Sequence, residues 1–118
     1  MDRKTKIKIA KDIEKLFLSK VEKITDTRIY FSNKVWNYDS KGNKTIIKNI
    51  KATDYISHAN NKTVTVSFEG KIYHKIHGNN LIYKNSLYNL LNNKLTTHNY
   101  YMEYGDSWNF TIFEHDYI

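Results

Sequence analysis

The local cluster with acid–base potential is His74-Lys75-Ile76-His77, with Tyr73 beside it and Glu69 a few residues upstream. Histidines with a lysine or tyrosine can run metal-independent RNA cleavage, because that reaction needs a general base, a general acid and a cation for the phosphate. A spacing of i,i+3 also suits a metal on a helix, but no carboxylate or third histidine stands at a persuasive distance. The plainer reading is a pair of partly exposed histidines before Gly78. His58, His98 and His115 are isolated in the chain. With no cysteine there is no thiol nucleophile, no cysteine-based zinc site and no disulfide framework. No glycine-rich phosphate loop, G-x-S-x-G, H-E-x-x-H or dinucleotide fingerprint is present. Catalysis is therefore the weaker reading, with a small toxin-like ribonuclease using His74 and His77 as the alternative, and no cofactor is implied.

Positive charge is the stronger signal. Lys4, Lys8, Lys11 and Lys15 are spaced four, three and four apart, which on a helix aligns them over about 17 Å of one face. Such a stripe can follow phosphates or an acidic protein surface; it can also be an ordinary solvated face. Lysine in place of arginine favours charge attraction over bidentate base reading. Nucleic-acid binding by this stripe is expected to be weakly sequence-specific and strongly salt-dependent. A second basic set interleaves with aromatics: Arg28, Tyr30, Lys34, Trp36, Tyr38, Lys41, Lys44 and Lys48. Strands of this kind can stack single-stranded bases, although cross-strand packing of the rings explains the same pattern. The candidate partner-binding residues are Lys4, Lys8, Lys11, Lys15, Arg28, Lys34, Trp36, Lys41 and Lys44.

The net charge of +7 is unevenly placed. Residues 1–24 carry eight Lys/Arg against four Asp/Glu, whereas the last nineteen residues carry four acids and no Lys or Arg. A basic N-terminal body favours a polyanionic partner. The abundance of Lys, Asn, Ile and Tyr with no proline also fits an AT-rich coding sequence.

The elements that must position these residues can be read from periodicity. Residues 5–24 have Ile9, Ile13, Leu16, Phe17 and Ile24 on one helical face, with Lys20 inside the apolar stripe. Arg28–Ser32, Lys34–Tyr38 and Lys44–Lys51 are strand-like around the turn cluster Asp39–Asn43. Thr63–Phe68 alternates, with Val64, Val66 and Phe68 on one face and hydroxyls on a face expected to be wet. Lys71–His77 is ambiguous between a short strand and a helical turn. A second helix runs to about Leu95, with Tyr83, Leu87, Leu90, Leu91 and Leu95 on its face and Asn80 or Asn85 as N-cap. Asn99–Tyr104 and Trp108–Glu114 form a final hairpin. The expected fold is α+β: one domain over residues 1–118, with an antiparallel sheet of about five strands and both helices on one face, in the order α-β-β-β-α-β-β. No signal peptide or membrane span is read, and a cytoplasmic protein is expected.

Stretches such as Ile29-Tyr30-Phe31-Ser32-Asn33 and Trp108-Asn109-Phe110-Thr111-Ile112-Phe113, with the small size and the lack of an enzyme signature, give the chain a resemblance to the small inhibitor proteins of phages and mobile elements, of the anti-CRISPR kind. The resemblance implies a single-domain, non-enzymatic protein of the host-cell cytoplasm. Such a protein docks on a nucleic-acid-handling protein or ribonucleoprotein complex, or on its nucleic acid. It carries over no individual functional residue. A plain single-stranded nucleic-acid-binding protein differs from this reading only in its partner.

Overall fold

The first helix, α1 (Arg3–Leu18), begins where the Asp2 carboxylate accepts the Thr5 N–H at 2.7 Å, satisfying one of the donors a helix start leaves free. Hydrogen bonding from the Thr5 side chain, together with this N–H, holds the Asp2 carboxyl below the usual range. The computed structural model describes residues 1–77 and 86–115. Ile9, Ala10, Ile13 and Phe17 are buried along one side of α1, as the spacing requires. The helix stops six residues short of the expected end, at Ser19, whose hydroxyl donates to the Leu16 carbonyl. Val21 and Ile24 still enter the core, but from irregular backbone. Lys20 therefore lies past the helix rather than within its stripe.

Six strands follow where about five were expected: β1 (Thr27–Phe31), β2 (Lys34–Tyr38), β3 (Lys44–Lys48), β4 (Thr65–Phe68), β5 (Tyr100–Tyr104) and β6 (Asn109–Glu114). Their order is β3-β2-β1-β4-β6-β5, and every neighbouring pair is antiparallel. Ser32 and Asn33 join β1 to β2 with φ of 51° and 58°, the left-handed pair that a tight hairpin turn needs. The β2–β3 turn is organised by Asp39, whose carboxylate accepts the N–H groups of Lys41 and Asn43, both at 2.9 Å. Gly42 supplies φ +85° within that turn.

The segment left open by the sequence is helical: α2 spans Gly70–His77. The last helix, α3 (Leu87–Thr97), is capped by Ser86, which accepts the Asn89 N–H. The expected caps Asn80 and Asn85 and the face residue Tyr83 lie outside the described residues. Leu87, Leu91 and Leu95 are buried. All three helices contribute to one core against the sheet face carrying Ile29, Trp36, Val66, Phe68, Phe110 and Ile112.

The other face is not simply wet. Ala52, in a 3-10 turn over Ala52–Asp54, and Ile56 fold back on Tyr30 and Val35 to form a second, smaller core. Thr65 is fully buried, its hydroxyl 3.0 Å from that of Thr111 on β6. The buried Thr65 hydroxyl of β4 is thus satisfied across strands by β6. Among the described residues no helix is long and apolar enough to cross a membrane.

Candidate binding surface

Four lysines occupy the side of α1 opposite its buried stripe. At 100° per residue, Lys4, Lys8, Lys11 and Lys15 fall within an arc of about 60°, facing away from Ile9, Ile13 and Phe17. All four are exposed, and none forms an ion pair among the described residues. The acid on the adjoining side of the helix is Glu14, engaged with the β2–β3 hairpin. Asp12 lies on the other side, in a groove of about 180 Å³ between α1 and α3 that also includes Lys8, Lys94, His98 and Tyr100.

The sheet separates the remaining candidates instead of gathering them. Side chains alternate between faces along a strand, so Lys34, Trp36 and Lys44 lie on the helix side and Arg28 on the other. Trp36 is buried: it meets the edge of Phe31 at 5.0 Å, and the Lys44 ammonium stands 3.8 Å from its centroid. Cross-strand packing accounts for this ring, which leaves it no open face for base stacking. Lys34 lies over Phe31 at 5.0 Å. Lys41 is exposed in the hairpin turn.

Arg28 borders a cleft of about 550 Å³ on the second face. Its Nε donates to Asn37 Oδ1 at 2.8 Å, which orients the guanidinium. Tyr55 and Trp108 line the same cleft and are 58% and 37% exposed. Asp26, Asp39 and Glu69 on its walls make it far less basic than the outer face of α1. Sequence reasoning missed Tyr55 and Trp108; the signal for them was the placement of large rings inside turn-forming segments.

On α2, His77 Nε2 donates to the Ser107 carbonyl, and its ring lies 4.8 Å from Tyr73 and 5.7 Å from Tyr104. A carbonyl only accepts, so this nitrogen carries the proton. His74 is exposed and edge-on to Tyr73 at 5.8 Å. Both histidines of the alternative acid–base pair are exposed, and one of them, His77, braces the β5–β6 turn. Among the described residues no group of three or more His, Asp or Glu is placed to hold a metal. Comparison with known proteins gave no match: no family model, no curated sequence and no solved structure matches the chain.

Proposed function

We propose that this is a non-enzymatic binding protein that docks, through the lysine face of α1, on the polyanionic surface of a nucleic-acid-handling complex, acting as an inhibitor of the kind its size and composition resemble. The observation that carries the reading is the single arc of Lys4, Lys8, Lys11 and Lys15, exposed and without a counter-ion among the described residues. Helix dimensions match that arc to a run of regularly spaced negative charge. The fixed backbone of α1, capped at Asp2 and anchored by Phe17, presents the ammonium groups on a rigid element. Lys11 also helps to hold the Glu14 carboxyl in its charged form, and Lys44 and Tyr38 engage that carboxylate on the hairpin side of the stripe.

The test is capture from a host extract with and without nuclease treatment, using the wild-type chain and a K8E/K11E/K15E variant of unchanged far-UV circular dichroism. Loss of the captured partner in the variant supports the reading. Retention of partner by the nuclease-treated wild type assigns the contact to protein, and its loss assigns the contact to nucleic acid. Equal capture by wild type and variant sinks it.

A further inference from the structure

The strand β3 is the outermost of the sheet on its side, and all five of its residues are exposed. Only one side of its backbone is satisfied by β2. The Asp39 N–H donates to the Asn43 carbonyl, and β2 and β3 pair in the register Asn37↔Thr45 and Val35↔Ile47. Antiparallel ladders alternate between hydrogen-bonded and non-hydrogen-bonded pairs. Thr45 and Ile47 therefore turn their main-chain groups toward β2, and Lys44, Ile46 and Lys48 turn theirs outward. The three outward residues offer N–H and C=O groups over about 13 Å, a ready template for another strand.

The side chains state what would pair there. Ile46 and Ile47 are 54% and 41% exposed and project from opposite faces, so a strand laid alongside covers one on each face. Lys48 stands directly across from Lys34, and neither forms an ion pair among the described residues. Like charges opposite each other weaken a sheet. An acidic residue on an added strand, directly opposite Lys48, would pair with that cation and offset the repulsion. A second copy of the chain fits poorly: the register that overlaps all five residues sets Lys44 of one copy against Lys48 of the other at both ends, on molecules that each carry +7. The lysines that bar like-charged edges are the ones that select an acidic strand.

We propose that the β3 edge accepts an extended acidic segment of a partner protein as a seventh, antiparallel strand, with a carboxylate beside Lys48 and an apolar side chain against Ile47. This contact lies on a different element from the lysine face of α1 and does not depend on it.

An end-blocked heptapeptide alternating glutamate and valine, titrated into the ¹⁵N-labelled full chain, tests it. The amide signals of Lys44, Ile46 and Lys48 are expected to shift most. K48E is expected to weaken binding about tenfold, and K71A, at an exposed lysine of α2 away from the β3 edge, to leave it unchanged. N-methylation of the glutamate amides, which face β3 in this register, should abolish binding, and N-methylation of the valine amides should spare it. The proposal is overturned by no binding at millimolar peptide, by shifts confined to α1, or by equal binding of both methylated peptides. It is also overturned if the chain alone sediments as a dimer with those three amides protected, which would assign the edge to a second copy.

Discussion

Glu14 of α1 and Lys44 of β3, thirty residues apart in the chain, form an ion pair with Nζ 2.7 Å from Oε2. The same carboxylate oxygen accepts the Tyr38 hydroxyl, and the Lys44 ammonium lies over Trp36. One side chain thus ties the first helix to both strands of the hairpin. Partial burial works against the Glu14 carboxylate, but the hydrogen bonds from Lys44 and Tyr38 and the charges of Lys44 and Lys11 outweigh it and hold the carboxyl below its usual range. Burial and the facing carboxylate push the Tyr38 phenol well above its ordinary value.

A group whose pKa is lowered on folding contributes stability that is present above its unfolded value and lost as the pH falls through the folded one. E14Q retains an acceptor for Tyr38 and removes the charge. It should cost about 1 kcal/mol at neutral pH, less at high salt. The gap between wild type and E14Q should close as the pH is taken below the ordinary value of 4.5. Urea midpoints for both proteins across that range check this; a gap that widens in acid would refute it.

Phe17 is fully buried beneath the lysine face, whereas Lys8 and Lys11 are exposed. F17A should cost about 3–5 kcal/mol by leaving a cavity in the main core. K8A/K11A should change stability by less than about 0.5 kcal/mol. Denaturant unfolding of the three proteins separates the structural from the docking side of α1.

The register of α1 could be read from the sequence because a 3.6-residue period put Ile9, Ile13 and Phe17 on one side and four lysines on the other. Its end could not, because Val21 and Ile24 continue an apolar pattern that serves the core without helical backbone. Period-2 alternation correctly placed Val66 and Phe68 of β4, and Val64 just before it, in one core. It could not show that Thr65 would be buried, since that depends on Thr111, distant in the chain. The aromatic-basic hairpin looked like one surface. The sheet splits it, burying Trp36 under Lys44 and sending Arg28 to the opposite cleft, and face membership fixes this only once the partners on each side are known.

Gly105 lies in the β5–β6 turn, packed on His58 and Asn109. A Cβ there would fall 2.5 Å from Asn109 Oδ1 and 3.0 Å from His58 Cβ. Asn109 is fully buried and has little room to move. G105A should therefore destabilise the fold by about 1–3 kcal/mol through overpacking, measurable as a lowered denaturation midpoint with an unchanged slope.

His74 and His77 are both exposed, but His77 supports the Ser107 carbonyl and packs on Tyr73 and Tyr104, whereas His74 meets the Tyr73 ring edge-on. H77A should lower stability by about 1 kcal/mol and H74A should leave it unchanged. The double variant should retain partner binding. Loss of an RNA-cleaving activity in a folded H74A/H77A protein would instead promote the ribonuclease alternative.

The docking role assigned to α1 makes a kinetic prediction. Exposed charges act over roughly a Debye length, so they raise the rate of encounter more than they deepen the final complex. K8E/K11E/K15E changes three adjacent positions from attraction to repulsion of a polyanion, and should slow association with the captured partner while leaving dissociation closer to wild type. Because salt screens repulsion as well as attraction, wild-type association should slow as ionic strength rises, and that of the variant should slow less or even quicken. E103K/D106K alters exposed acids in the β5–β6 hairpin, away from α1, and should do little in either condition. Association rates at two ionic strengths for the three proteins decide it. If the lysine reversals bind normally and the hairpin reversals abolish binding, the contact belongs to the β5–β6 end of the molecule.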